Sequence, residues 1–198
     1  MNDHSTNVFA GEYFDGETFS DIDFTSPIKL SGIEFQDCKF ENCKLSQVTF
    51  FDCRFENCFF YNCDLSSVSI KYCVFDSVVF TESKLTGIQW ADTGIPLNVI
   101  FRQCTLNYSS FIGVDLRKTE ISHCIVKEVD FSETNLSRSD CRYSDFSGAR
   151  FINTNLEHTN LSYATNYSIH PGGNKLKKTI FSSPEVLSLL DVYDIIIR

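Results

Sequence analysis

Residues 35–60 read FQDCKFENCKLSQVTFFDCRFENCFF, and every fifth position of this stretch holds a large apolar residue. The same spacing extends in both directions: thirty such positions fall in three runs, residues 9–24, 30–90 and 101–161, and they hold sixteen of the nineteen phenylalanines. A period of five fits neither a helix, with a period of 3.6, nor a flat strand, with a period of 2. The chain is therefore an internal-repeat protein.

Residue identity also recurs every twenty positions, as in Phe35, Phe55 and Phe75. Four sides of five residues therefore close one coil, and successive coils stack at the interstrand spacing of about 4.8 Å. The pattern predicts a four-sided β-solenoid of about seven and a half coils, roughly 35 Å long. Like side chains should lie above one another in interior ladders.

Eight of the nine cysteines lie two residues before one of the large apolar positions, in a slot that they share with Val and Ala. We interpret this slot as a site for small, buried, apolar side chains, a role that a free cysteine can fill. The odd cysteine count and the lack of a secretory signal favour a reducing cytosol over a disulfide framework. Stacked cysteines would also have β-carbons nearly 4.8 Å apart, beyond the roughly 3.8 Å that a disulfide prefers.

Residues 139–164 read SDCRYSDFSGARFINTNLEHTNLSYA, and this stretch resembles the pattern of the pentapeptide-repeat family: a small residue, Asp or Asn, Leu or Phe, then two polar residues. The resemblance covers about residues 9–165. It implies an all-β fold, a right-handed quadrilateral β-helix whose large residue and the small residue two before it point inward. The predicted organisation is an N-terminal tail (1–8), the β-helix (9–165) and a C-terminal capping and dimerisation module (166–198).

The five-residue phase breaks twice. One extra residue lies at 25–27, and eleven residues separate Trp90 from Phe101 where ten would keep step. The segment 91–98 contains Gly and Pro and reads as a bulge or a protruding loop. It is either a tolerated insertion or a loop that touches a partner, in which case Asp92, Ile95 and Pro96 are candidate contacts.

The tail after Ala164 has a different pattern. A turn-rich connector and a basic stretch (175–178) precede Ser182-Ser183-Pro184-Glu185, which is typical of a helix start. We predict a short, apolar C-terminal α-helix, and a terminal β-segment at 195–197. The minimal role of this tail is to cap the open solenoid end, but its apolar surface also favours a two-fold homodimer. The predicted dimerisation residues are Phe181, Val186, Leu187, Leu190, Tyr193 and Ile195.

The ending from 174 to the terminal isoleucines resembles that of the topoisomerase-protecting members of the family, the Qnr, MfpA and McbG proteins of quinolone resistance and microcin immunity. The stretches 38–43 and 111–118 are similar to the immunity protein. This resemblance implies dimerisation through the tail. It further implies binding to DNA gyrase or topoisomerase IV, with protection of the enzyme from a quinolone or a microcin-like poison.

The charge pattern supports a protein partner rather than a nucleic acid. The chain holds 26 acidic and 17 basic residues, a net charge of -9, whereas nucleic-acid binders are basic. An acidic rod can present a DNA-like field to a DNA-binding protein; the alternative is that acidity only maintains solubility. Candidate contact carboxylates, all at outward positions, are Asp37, Glu41, Asp52, Glu56, Asp76, Asp92, Asp115, Glu128 and Asp130.

No pattern indicates catalysis. The four histidines are scattered, and the sequence contains no phosphate-binding glycine loop, no metal-ligand spacing and no apolar run long enough for a membrane span. We therefore expect a cytoplasmic, non-enzymatic protein without cofactor or metal, and without direct contact to nucleic acid or membrane. The alternative function is an interaction scaffold or effector that binds another protein.

Overall fold

The computed structural model describes residues 9–196, so the predicted N-terminal tail, Ile197 and Arg198 lie outside the described residues. The chain forms a parallel β-solenoid of about eight coils with four faces per coil. This confirms the fold predicted from the five-residue period.

The strands are short because each side of a coil has only five residues. They are Tyr13–Asp15 (β1), Thr18–Ser20 (β2), Ile28–Ser31 (β3), Glu34–Gln36 (β4), Lys39–Glu41 (β5), Val48–Phe51 (β6), Arg54–Glu56 (β7), Phe59–Tyr61 (β8), Ser69–Lys71 (β9), Val74–Thr81 (β10), Leu97–Arg102 (β11), Glu120–Ser122 (β12), Asn160–Leu161 (β13) and Ile180–Phe181 (β14). All ladders are parallel, as in β1-β4-β7-β10, β2-β5-β8-β10 and β3-β6-β9. In the second half, single parallel bridges largely replace the strands.

We number the four faces in chain order and define each by its inward residues. Face 1 has Phe14, Phe35, Phe55, Phe75, Leu97, Leu116, Leu136, Leu156 and Leu176; face 2 has Phe19, Phe40, Phe60, Phe80, Phe101, Ile121, Cys141, Leu161 and Phe181; face 3 has Phe24, Leu45, Leu65, Leu85, Leu106, Val126 and Phe146; face 4 has Leu30, Phe50, Ile70, Trp90, Phe111, Phe131 and Phe151. Each face is thus a ladder that runs along the rod.

The interior is built from these ladders. Of the thirty positions of the five-residue pattern, all but the half-buried Phe14 are buried. Phe55 stacks between Phe35 and Phe75, with ring centroids 4.9 and 5.0 Å away and planes within 8° of parallel. The predicted phenylalanine ladder is confirmed.

The slot two residues before each inward position is more permissive than the sequence suggests. All nine cysteines are free and buried, but buried Ser and Thr residues also occupy the slot in the second half. Their hydroxyls donate to backbone carbonyls of the previous coil, as Thr134 does to Phe111 (2.6 Å) and Ser139 to Leu116 (2.8 Å). The slot therefore selects for small size, and a polar member is tolerated because its hydrogen bond is satisfied.

The corners of the coils explain the polar part of each repeat. The second residue after an inward residue commonly has positive φ, as in Asp37 (51°), Asn57 (52°) and Arg138 (63°). Asn, Asp and Gly tolerate this conformation best. The corner side chains point outward, and most are exposed.

Both phase breaks are absorbed locally. Phe14 and Phe19 pair with Phe35 and Phe40, 21 residues later, so the extra residue at 25–27 lengthens one coil. At the second break the register between β10 and β11 shifts between Phe75 and Val78. The predicted protrusion is present, and Ile95 at its tip is 92% exposed.

The tail differs from the prediction in three ways. Parallel pairing continues past residue 165, because Lys175 bridges to Asn155 and β14 pairs with β13. The helix Glu185–Tyr193 is a 3₁₀ helix rather than an α-helix, and Pro184, without a capping side-chain bond, occupies its N-cap. The β-segment predicted at 195–197 is wrong for Ile195 and Ile196, which lie in no strand, and Ile197 lies outside the described residues.

Candidate partner-binding surface

The negative charge of the chain is concentrated in its first half. Residues 1–95 hold 15 of the 26 acidic and 6 of the 17 basic residues, whereas residues 96–198 hold 11 of each. The net charge of -9 therefore belongs entirely to the first half. The acidic rod inferred from the net charge is therefore acidic in one half only.

Within that half, the charge lies on two adjoining faces. Faces 3 and 4 are neutral there; on face 3, Asp23, Lys44, Asp64 and Lys84 alternate in one ladder. Faces 1 and 2 hold ten carboxylates and two basic residues, Lys39 and Arg54, a net charge of -8. We call this the acidic surface, and its carboxylates are Glu12, Asp15, Glu17, Asp21, Glu34, Asp37, Glu41, Glu56, Asp76 and Glu82.

These ten carboxylates are at least partly exposed and almost all lack an ion-pair partner. Among the described residues only Glu56 makes a salt bridge, to Arg54 at 3.3 Å. In the second half ion pairs are more frequent, since five of the eleven carboxylates are paired with a basic side chain, such as Glu120 with Arg102 (2.6 Å) and Asp140 with Arg142 (2.7 Å). These arginines lower the pKa of both carboxyl groups below the usual range.

The acidic surface contains both kinds of direct charge contact. Glu34 and Arg54 are opposed across the β4-β7 ladder, whereas Glu56 and Asp76 are opposed across the β7-β10 ladder, and like charges at directly opposed positions are destabilising. Face 3 shows that the same scaffold accommodates alternating charges. The excess of carboxylates on faces 1 and 2 is therefore not a requirement of the solenoid fold.

The charge density approaches that of a duplex. The acidic surface spans four coils, roughly 19 Å at 4.8 Å per coil, so that a net charge of -8 gives one charge per about 2.4 Å. Duplex DNA carries one charge per about 1.7 Å of axis.

The structure separates the predicted contact residues. Asp37, Glu41, Glu56 and Asp76 belong to the acidic surface. The others lie elsewhere: Asp52, Asp92 and Asp130 on face 4, Glu128 on face 3, and Asp115 in the second half of face 1, where it is paired with Arg117 at 2.7 Å. Sequence reasoning missed Glu12, Asp15, Glu17, Asp21 and Glu34, although a charge count over every twentieth residue would have found them.

The protruding loop 91–98 lies at the boundary between the two halves of face 1. Ile95 and Leu97 border two adjacent clefts of about 430 and 360 Å³, and both clefts also contact Asp115. The predicted loop contacts Asp92, Ile95 and Pro96 are all exposed. Ile95 is an apolar side chain next to charged groups.

The C-terminal module divides the predicted dimerisation residues into two groups. Phe181 packs against the core and against the Tyr167 ring (5.6 Å between centroids), and Val186 and Leu190 are half-buried. Leu187, Tyr193 and Ile195 are exposed, and Val192 and Ile196 add to the same exposed apolar end. Leu189, absent from the predicted set, packs against the core. The module therefore caps the last coil with one side and leaves apolar surface on the other.

Residues 9–196 contain no group of three or more His, Cys, Asp or Glu side chains that could hold a metal ion. In the same part of the chain no helix is long and apolar enough to cross a membrane. The His123 ring stacks on the exposed Tyr143 ring, with the two ring centroids 4.6 Å apart.

Comparison with known proteins agrees with this architecture. The model of the pentapeptide repeat region matches residues 33–95 and 97–161, so the chain belongs to the pentapeptide-repeat family. A trypsin-treated form of QnrB1, a plasmid-mediated fluoroquinolone resistance protein, is 18% identical, with a TM-score of 0.64 over 94% of this chain and 97% of that one. HetL of the cyanobacterium Nostoc, involved in heterocyst differentiation regulation, is 14% identical, with a TM-score of 0.40 over 88% and 90% of the two chains. At these identities the likeness to QnrB1 shows the fold alone, and no curated protein sequence matches the chain.

Proposed function

We propose that this chain is a non-catalytic, DNA-mimicking protein that binds DNA gyrase or topoisomerase IV and protects the enzyme from a quinolone or a microcin-like poison. The observation that carries the proposal is the acidic surface, with ten carboxylates on two adjoining faces and one ion pair among them. The similarity in fold to a fluoroquinolone resistance protein favours a topoisomerase as the partner. Such a partner acts in the cytosol, where the nine thiols stay reduced.

The mechanism is electrostatic and positional. The parallel ladders hold the carboxylates on a rigid frame, so little backbone conformational freedom is lost on binding. Basic groups that normally hold phosphates attract the acidic surface over a distance set by salt, about 10 Å at 0.1 M and about 3 Å at 1 M. Binding should therefore weaken steeply with salt, and duplex DNA should compete.

Ile95 supplies the apolar contact of this interface. It lies at the end of the acidic half of face 1 and is 92% exposed. Deletion of 91–98 would remove Leu97, which pairs with Phe75 in the face 1 ladder, so Ile95→Ser is the cleaner test. We expect Ile95→Ser to reduce protection more than affinity, because the Ile95 side chain reaches the drug-stabilised complex.

The C-terminal module makes the protein a homodimer in this proposal. Five apolar side chains, Leu187, Val192, Tyr193, Ile195 and Ile196, are exposed at one end of the rod, and exposed apolar patches of this kind mark interaction sites. The expected result is a dimer in sedimentation at tens of micromolar that becomes a monomer on Leu187→Asp with Leu190→Asp. A monomeric wild type, or a dimeric double variant, would restrict the module to capping.

The acidic surface can be tested with matched charge variants. The triple variant Asp37→Asn, Glu56→Gln and Asp76→Asn removes three charges from face 1. The control, Asp52→Asn, Asp64→Asn and Asp92→Asn, removes three from faces 3 and 4. Each exposed charge pair contributes about 0.2–1 kcal/mol, so the first set should weaken gyrase binding roughly threefold to a hundredfold.

Fluorescence anisotropy of labelled protein with gyrase, repeated at rising salt and with duplex competitor, gives the affinities. Equal losses in both triple variants would mean that only net charge matters. If gyrase binds neither the wild type nor the variants, the alternative scaffold function takes precedence.

A further inference from the structure

The charge on face 1 reverses along the rod. Each coil contributes one inward residue to face 1, and we call the part of the face around that residue a level. Face 1 has nine levels, from Phe14 at level 1 to Leu176 at level 9, with Leu97 at level 5. Levels 1–4 carry a net charge of -5, from Glu12, Asp15, Glu34, Asp37, Glu56 and Asp76 against Arg54. Levels 6–9 carry a net charge of +4, from Arg117, Lys118, Arg138, Lys175, Lys177 and Lys178 against Asp115 and Glu157. No other face shows such a reversal.

The basic half of face 1 is an accessible column of stacked coils, interrupted at level 8 by Glu157. The backbone N–H of Lys118 donates to the carbonyl of Ser137 (3.1 Å), that of Arg138 to Glu157 (2.9 Å) and that of His158 to Lys177 (3.0 Å). Lys118, Arg138 and the three lysines of level 9 are exposed. Among residues 9–196, the one ion pair of this column joins Arg117 to Asp115. The column is thus positively charged and open to a partner.

We propose that face 1 is an interface for a second copy of this chain, packed antiparallel, with the two-fold axis at level 5. A two-fold rotation there brings level 1 against level 9, level 3 against level 7 and level 4 against level 6. Acidic and basic side chains then oppose each other at these levels, while levels 2 and 8 bring Glu34 and Asp37 against Glu157 and His158. Both ladders have the same coil spacing, so the levels stay aligned along the whole face, and levels 2 and 8 are the one pair that brings like charges together.

The centre of the interface is apolar. Ile95 is 92% exposed and projects at level 5 beside the half-buried Leu97. On the proposed axis, Ile95 of one copy lies next to Ile95 of the other. An apolar centre with a charged surround is the usual arrangement of protein interfaces.

A second copy fits this face better than a nucleic acid does. Phosphates are attracted to levels 6–9 but repelled by levels 1–4, so a nucleic acid could use half of the face at most. A partner whose charge reverses at the same spacing can use both halves, and the chain itself is such a partner. The inference does not depend on binding to a topoisomerase; self-association would cover the face 1 carboxylates and Ile95, and would therefore compete with that binding.

Charge-swap complementation tests the proposal. One variant carries Asp37→Lys, Glu56→Lys and Asp76→Lys, and the other carries Lys118→Glu, Arg138→Glu and Lys178→Glu. All proteins also contain Leu187→Asp, which suppresses association through the C-terminal module, and circular dichroism checks their fold. We expect Leu187→Asp alone to self-associate in sedimentation at 0.1 M salt and to dissociate at 1 M. Each swap variant should associate at least tenfold more weakly, and an equimolar mixture of the two should form a heterodimer.

Crosslinking provides a second readout that does not depend on charge. Ile95→Cys should form a covalent dimer under mild oxidation, because the two residues meet at the axis. Ile152→Cys, exposed on face 4, is the control and should stay monomeric. The native cysteines are buried and do not interfere.

The proposal is overturned if Leu187→Asp remains monomeric at several hundred micromolar in 0.1 M salt, or if the mixture fails to restore association. It is also overturned if Ile95→Cys and Ile152→Cys crosslink equally. Binding of a 20-base-pair duplex that is lost in the Lys118→Glu variant set, without self-association, would assign the basic column to nucleic acid instead.

Discussion

Replacement of Phe55 by alanine should destabilise the solenoid more than any single surface change. The ring is 1% exposed, stacks on Phe35 and Phe75 at 4.9 and 5.0 Å, and meets Phe40, Phe50 and Phe60 edge to face at 6.2, 5.4 and 5.7 Å. Core Phe→Ala substitutions cost about 3–5 kcal/mol, and each aromatic pair adds about 0.5–1.5 kcal/mol beyond burial. With five such pairs, we expect a loss of about 4–5 kcal/mol of folding free energy, the upper part of the range for core Phe→Ala substitutions.

For a chain of this size, 1 kcal/mol shifts the Tm by about 2–4 °C, so Phe55→Ala should lower it by roughly 8–20 °C. Thermal unfolding followed by circular dichroism gives the shift. The matched control is Phe59→Ala, because Phe59 points outward on face 2 and is 48% exposed; its cost should be about 0.5 kcal/mol or less. Phe55→Asp should prevent folding, since it buries a charge among rings.

Two outcomes would refute the ladder as the source of stability. One is a Phe55→Ala variant that melts within a few degrees of the wild type, or no lower than Phe59→Ala. The other is a soluble Phe55→Asp variant with an unchanged spectrum and cooperative unfolding.

Three further predictions follow from single side chains. The hydroxyl of Tyr167 is buried without a hydrogen-bond partner in the described residues, and its pKa is raised to about 12, mainly by burial and to a smaller extent by the charge of Glu185. Tyr167→Phe should therefore leave the free energy of unfolding unchanged or raise it by about 1 kcal/mol. A clear loss of stability in denaturant titration would indicate an overlooked partner. Burial raises the pKa of the Cys58 thiol to about 12 and that of Cys141 well above its ordinary value. Since all nine thiols are buried, the native protein should resist thiol reagents at pH 8, whereas all nine should react in denaturant. Rapid labelling of the folded protein would contradict the burial. Arg102 lowers the pKa of Glu120 in the folded protein, so this ion pair stabilises the fold above about pH 4.3, and the stabilisation is lost as pH falls through the lowered folded-state pKa. Glu120→Gln should reduce the free energy of unfolding at pH 7 but not at pH 2. An equal loss at both pH values would mean that charge is not the cause.

The interior could be predicted almost completely from the sequence. The apolar residues recur every five positions and residue identity recurs every twenty. Phe35, Phe55 and Phe75 can then stack in one way only, because each coil must repeat the shape of the previous one. The place of Thr134 and Ser139 in the small-residue slot was not predicted, since their burial depends on a carbonyl of the previous coil. That partner becomes apparent once the coils are stacked.

The ends and the surface were harder to predict. A nine-residue apolar segment after Pro184 has a weak intrinsic preference, and its contact with the last coil through Leu189 accompanies a 3₁₀ helix. The acidic surface can be found by counting charges separately for each face, which the five-residue repeat makes possible from the sequence. The net charge of the whole chain does not reveal it. Asp52 and Asp37 look equivalent in sequence, yet they lie on different faces with different neighbours.

The most direct test of the proposed function is a gyrase supercoiling reaction that contains a quinolone, and in parallel a microcin-like poison, titrated with this protein from nanomolar to well above micromolar concentration. The account predicts that the wild type restores supercoiling under at least one poison. The Asp37→Asn, Glu56→Gln, Asp76→Asn variant should need a higher concentration for the same effect, while the Asp52→Asn, Asp64→Asn, Asp92→Asn control matches the wild type. If the wild type neither restores supercoiling under poison nor inhibits it without poison anywhere in that range, the topoisomerase proposal is contradicted and the scaffold function replaces it.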